Sequence, residues 1–158
     1  MTASDHRYIT TVTWTGNRGS GTSSYTSYDR DYTVTADAKE PILGSSDPQF
    51  RGDPSRWNPE ELFVASLSAC HKLWYLHLCA AGGVNVVKYD DTAQGVMAND
   101  SGGAYFSVVT LRPRVWISAN SDAQRALALH HDANEKCFIA RSVKCEVRHE
   151  PQIMLEAT

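Results

Sequence analysis

The segment from Asn58 to Gly83 constrains the fold more than any other part of this chain. It opens Asn58-Pro-Glu-Glu and stops at Gly82-Gly83. Asn58 can cap a helix, Pro59 fits the first helical position, and Glu61 stands at the spacing of a capping box. Glu60 favours the positive end of the helix dipole, and the two glycines end the run. From Leu62 to Ala81 the helix is apolar on nearly every face, so it must be buried on more than one side. In a chain of 158 residues, a sheet on one side and a second subunit on the other would satisfy that demand.

The other segments supply the sheet. Alternation from Tyr8 to Trp14 reads as a strand, followed by the turn-rich Gly16–Gly21. Extended stretches over Thr22–Tyr28 and Tyr32–Thr35 would complete an antiparallel meander. Ala38–Trp57, with three prolines (Pro41, Pro48, Pro54) and two glycines (Gly44, Gly52), reads as a long irregular loop. Val84–Val96 and Tyr105–Ser118 read as two long strands joined across Asn99–Gly103. Ser121 caps a second helix, Asp122–Lys136, with Ala126, Leu127, Leu129 and Ala133 as its apolar stripe. Phe138–Val143 is a short helix or turn, and Lys144–Ala157 closes the chain as a strand. These elements predict one α+β domain over residues 1–158, an antiparallel sheet packed on a long buried helix.

Composition narrows the function. A net charge of −3 argues against a nucleic-acid partner, which calls for a basic face. No apolar run reaches the length that spans a bilayer, about 20 residues. Met1–Thr11 shows no signal peptide, so the expected compartment is the cytoplasm. There, four cysteines point to reactive, metal-binding or buried thiols rather than structural disulfides.

Two of those cysteines stand apart. Cys70 lies inside the apolar helix, sharing its face with Phe63, Ser66, Leu67, Leu73, Trp74 and His77. Cys137 ends the second helix. Cys79 is about 180° around the first helix from Cys70, and Cys145 falls in the last strand; both read as structural. Two thiols brought together by a fold can do reversible redox chemistry. A thiolate in mid-helix needs a cation, and an arginine held by a carboxylate serves best. Arg18 and Glu60 are candidates for this pair, and Arg51 and Arg56 in the long loop are candidates for an active-site rim. Glu60 lies about 15 Å along the helix from Cys70, so it can reach only the Cys70 of a second chain. Composite sites in an intertwined homodimer follow.

The run Asn58-Pro-Glu-Glu-Leu-Phe-Val-Ala-Ser-Leu-Ser-Ala-Cys70 resembles the central helix of the OsmC/Ohr family (osmotically inducible protein C and organic hydroperoxide resistance protein). The order of meander, buried helix, hairpin, second helix and late cysteine is similar over most of the chain. The resemblance implies an obligate dimer with two interface sites and a thiol-dependent peroxidase that reduces organic hydroperoxides to alcohols. It implies that Cys70 is the peroxidatic cysteine and Cys137 the resolving one, with Arg18 as the activating arginine and Glu60 as its partner. It implies no bound cofactor, and an external dithiol reductant such as a lipoyl-bearing protein. The chain departs from the pattern at Phe138, where better-known branches carry proline, and in a longer loop, Ser45–Pro54. His71 and the pair His130-His131 are further departures. Whether Arg18, Arg51 or Arg56 activates the thiolate stays open. Two other readings compete. One is a non-catalytic dimer binding an apolar ligand beside Cys70. The other is a metal-binding protein using Cys70, His71, His77, His130, His131 and Cys137.

Overall fold

Helix α1, Pro59–Ala81, begins and ends where its cap residues dictate. The Asn58 side chain accepts from the Glu61 backbone N–H at 2.8 Å, and the Glu61 carboxylate accepts from the Asn58 N–H at 3.2 Å. The reciprocal bonds satisfy two of the donors that a helix start leaves unpaired. At the other end Gly83 takes φ +75°, and the Val84 N–H returns to the Cys79 carbonyl at 2.9 Å. Asn58→Ala should lower unfolding stability by about 1 kcal/mol. Urea denaturation with an unchanged m-value is the check; no shift in midpoint would mean that the cap contributes nothing.

The computed structural model describes residues 5–156, and the chain divides into two compact units, Met1–Leu62 and Phe63–Thr158. In the first, β1 (Thr11–Trp14), β2 (Tyr32–Thr35) and β3 (Ile42–Gly44) form an antiparallel meander. The second strand anticipated over Thr22–Tyr28 is instead a series of turns. Side chains there capture the backbone locally: Asn17 Oδ1 accepts from Gly19 N and Gly21 N, and Ser27 Oγ donates to Gly21 O. Such bonds compete with a ladder, and positive φ at Gly19 and Gly21 breaks the extension. The supposed irregular loop contains β3 and a 3₁₀ turn, Pro48–Phe50, and Gly44 bridges to Trp57.

In the second unit the two long strands are split. They become β4 (Val86–Asp91) with β5 (Gln94–Asp100), and β6 (Gly103–Leu111) with β7 (Pro113–Ile117). β5 pairs with β6 and β4 with β7, both antiparallel, in one register that continues across the break. The closing strand also divides, at Pro151, into β8 (Glu146–His149) and β9 (Gln152–Leu155). β8 runs parallel to β6, and β9 parallel to β7. Pro113 has no N–H for a ladder, and the Arg112 N–H goes to the Asp91 carboxylate at 2.7 Å. Ser68 of α1 donates to the same carboxylate at 2.5 Å, fastening the helix to the break. Residue 157, the end of the anticipated final strand, lies outside the described residues.

Helix α2, Ala123–Lys136, is capped by Asp122, whose side chain accepts from Gln124 N and Arg125 N. Ser121, the anticipated cap, instead accepts from Asn85 N. A 3₁₀ turn, Ala140–Ser142, follows it. The core of this unit forms two clusters along α1. Tyr75 and Cys79 pack with Val115, Ile117, Ala126, Leu129 and Ala133. Two turns before Tyr75, Leu67 packs with Val109 and Leu111. The buried residues of α1 are Leu67, His71, Tyr75 and Cys79, a single i, i+4 stripe. Leu73, on another face, is 62% exposed within the single chain. Among the described residues no helix is long and apolar enough to cross a membrane.

Candidate active site

Cys70 and Cys137 come together although one sits in mid-helix and the other ends a different helix. Cys137 caps the C-terminus of α2 in an extended conformation, with its N–H returned to Asn134 O. That bend carries its thiol to Cys70. Cys137 is 1% exposed and Cys70 half-buried; all four cysteines are free thiols. Burial pushes the Cys137 thiol up to about 11, and the neighbouring Cys70 thiol adds to the rise. Cys137 therefore keeps its proton at neutral pH. Two neighbouring free thiols are a pair that thiol–disulfide chemistry can join.

Aromatic pairs stand on either side of Cys70 along α1. Trp74, one turn beyond Cys70, meets Phe138 edge to face at 5.5 Å, and Phe63 stacks on Phe106 at 4.8 Å. Leu67 is fully buried, whereas Leu73 and His77 face outward. A groove of about 720 Å³ is lined by Phe63, Phe106, Lys144 and Cys145 among others, but not by Cys70. Cys79 is buried and burial raises its thiol, as a structural cysteine requires. Cys145 immediately precedes β8 and is half-buried in the groove wall.

The four charged candidates all lie in the first unit. Arg18 donates to the Thr26 carbonyl and lies 3.7 Å from Asp29, within the turn after β1. Glu60 is exposed in the first turn of α1. Arg51 sits at φ +66°, closing the Pro48–Phe50 turn. Arg56 pairs with Asp31 at 3.2 Å and Asp53 at 3.7 Å, leaving its buried Nη1 without a partner.

Three histidines form a cluster that the sequence reading did not assemble. His71 Nε2 meets His130 Nδ1 at 3.0 Å, both rings buried. His130 stacks on Tyr75 at 3.8 Å between ring centres, and His149 stacks near His71 at 5.8 Å. Burial holds His71 down to about 4 and His130 to about 3, with the neighbouring imidazoles adding to each shift. Both are neutral at physiological pH. The signal was present in the periodicity: His71 falls on the Leu67–Tyr75 stripe, and His130 follows the Ala126–Leu129 stripe. Of the other proposed metal ligands, His77 and His131 are exposed, and His131 faces Glu135. Among the described residues, no group of three or more His, Cys, Asp or Glu side chains is arranged to hold a metal ion.

This architecture has known counterparts. The OsmC-like protein family model matches residues 52–152. An OsmC-like protein of unknown function from Vibrio cholerae is 34% identical, with a TM-score of 0.83 over 94% of this chain and 100% of that one. An organic hydroperoxide resistance protein from Legionella pneumophila shares the fold at 18% identity, with a TM-score of 0.66 over 94% and 98% of the two chains. One from Elizabethkingia anophelis does so at 18% and 0.67, over 96% and 99%. No curated protein sequence matches. The family model covers more than half of the chain and the Vibrio structure nearly all of it, and the α+β arrangement around a central helix agrees with both: the chain belongs to the OsmC/Ohr family.

Proposed function

We propose that this protein is a thiol-dependent peroxidase that reduces organic hydroperoxides to alcohols in the cytoplasm. The observation that supports it most is that the buried Cys137 thiol neighbours Cys70. In this reading the Cys70 thiolate attacks the distal peroxide oxygen. The O–O bond breaks, the alkoxide takes a proton and leaves as the alcohol, and Cys70 becomes a sulfenic acid. The Cys137 sulfur then attacks the sulfenic sulfur, water leaves, and a Cys70–Cys137 disulfide remains. An external dithiol, free or as a lipoyl group on a protein, reduces it by exchange. No bound cofactor enters the cycle.

Arg18 serves as the thiolate-activating cation and Glu60 as its carboxylate partner, both acting on the Cys70 of a second chain in a homodimer. The exposed apolar side chains of Leu73 and Phe138 are surface that a dimer could bury.

Cumene hydroperoxide consumption with dithiothreitol tests the reading. Turnover should exceed that of hydrogen peroxide by about tenfold or more, the worth of about 1.4 kcal/mol of apolar contact. Equal rates would remove the preference for organic peroxides. No turnover with either a dithiol or a monothiol would favour the non-catalytic, ligand-binding dimer.

A further inference from the structure

The buried imidazole pair joins the two elements that carry the paired thiols. His71 follows Cys70 directly on α1; His130 stands on α2, two turns before Cys137. Among the described residues their 3.0 Å bond is one of two side-chain hydrogen bonds between these helices, the other being Tyr75 Oη to Ala126 O at 3.0 Å. Tyr75 is one turn after His71, and Ala126 one turn before His130, so the helices run antiparallel with one bond per turn. The imidazole bond is the tie nearer to the thiols.

The pair is an expensive way to fill a core. One nitrogen donates and the other accepts in the central bond, which leaves an N–H and a lone pair at the outer ends. Those atoms, His71 Nδ1 and His130 Nε2, are buried and without a partner. Each such group costs about 1–3 kcal/mol, and two apolar side chains of similar volume would avoid that cost. An apolar contact, however, tolerates sliding and rotation, whereas a hydrogen bond fixes distance and direction. Disulfide closure is sensitive to this difference, because it requires Cα separations of about 4.4–6.8 Å and a defined torsion.

We propose that the His71–His130 bond is a positioning device that holds α1 and α2 in register and thereby sets the oxidation poise of the Cys70–Cys137 couple. This rests on the thiol pairing in the proposed function but not on peroxide turnover. The couple converts two thiols into one disulfide, releasing two protons and two electrons. With oxidised glutathione as the acceptor, one molecule becomes two of reduced glutathione.

The full chain is equilibrated with oxidised and reduced glutathione, quenched in acid, alkylated, and the Cys70–Cys137 disulfide counted by mass. The variant His71→Leu/His130→Leu should fold, by circular dichroism, yet show an equilibrium constant for disulfide formation lowered about tenfold. His71→Gln and His130→Asn place an amide close to the bonding nitrogen and should retain most of the wild-type value. His71→Leu alone should lose as much as the double variant, because both break the same bond. His77→Ala and His131→Ala, exposed imidazoles on the same helices, should change nothing. A wild-type-like constant in the folded double leucine variant, or equal losses in the amide variants, would overturn the proposal while leaving the thiol pair intact. If wild type forms no Cys70–Cys137 disulfide at any glutathione ratio, the proposed function and this inference fail together.

Discussion

Cys70→Ser should reduce peroxide consumption to the background of the dithiol alone, while Cys137→Ser should leave a single round of chemistry. A serine hydroxyl keeps its proton at neutral pH and cannot attack the O–O bond, so the first variant never starts. The second still forms the sulfenic acid, releases about one equivalent of alcohol per chain, and stops where the disulfide would form. Dimedone trapping of Cys70 in Cys137→Ser, absent in Cys70→Ser, makes the distinction at the level of the atom. Alkylation gives an independent measure of the asymmetry. With its thiol pushed up to about 11 and nearly all of its surface buried, Cys137 is ionised to about one part in a thousand at pH 8. Iodoacetamide should therefore label it far more slowly than half-buried Cys70. Equal labelling of the two, or full turnover by Cys70→Ser, would remove Cys70 from the role of nucleophile.

The sequence made the long helix legible because its boundary signals are local. Asn58, Pro59, Glu61 and Gly83 each act within one turn of their own position, and the cap bonds form between the residues named for them. The thiol contact was not legible in this sense. Cys137 reaches Cys70 through an extended C-cap on α2 and the antiparallel approach of two helices, neither of which has a spacing to read. Strand division was hidden for a different reason. The register is the same on the two sides of the break, Asp91 opposite Pro113 and Gln94 opposite Thr110, so alternation continues across a break made by one carboxylate, Asp91, and one proline, Pro113. The turns at Thr22–Tyr28 show the converse error: β-favouring residues whose hydroxyls and amides were claimed by nearby backbone. For the histidines the pattern was available, but a histidine on a buried stripe is ambiguous until the facing residue is known.

The same buried pair makes folding stability fall steeply in mild acid. An unfolded chain protonates its histidines near pH 6.5, whereas burial holds His71 down to about 4 and His130 to about 3. Between those limits the unfolded state binds protons that the native state refuses, so stability drops as pH falls from 6.5 and levels only below the folded values. For His71 alone the loss by pH 4 is about 3 kcal/mol, which lowers the melting temperature by roughly 6–12 °C in a chain of this size. His130 acts in the same direction, but the two titrations share one hydrogen bond and do not simply add. Hydrogen bonds from Ser55 to Asp53 and from Arg148 to Glu146 hold both carboxyls below their usual range as well. Those groups are exposed and act near and below pH 4, so the upper part of the window belongs to the imidazoles. His71→Leu/His130→Leu separates the contributions. It removes two of the three clustered imidazoles and should make the melting-temperature profile shallower between pH 6.5 and 4.5; His149, which burial also holds down, keeps a smaller slope there, and the carboxylate-linked loss follows at lower pH. If the double variant keeps the wild-type slope in that window, the imidazoles are not the source. If wild type itself shows no slope there, the rings are already protonated and the central bond joins two charged groups, which contradicts a buried pair whose two nitrogens approach to 3.0 Å with no carboxylate to balance them.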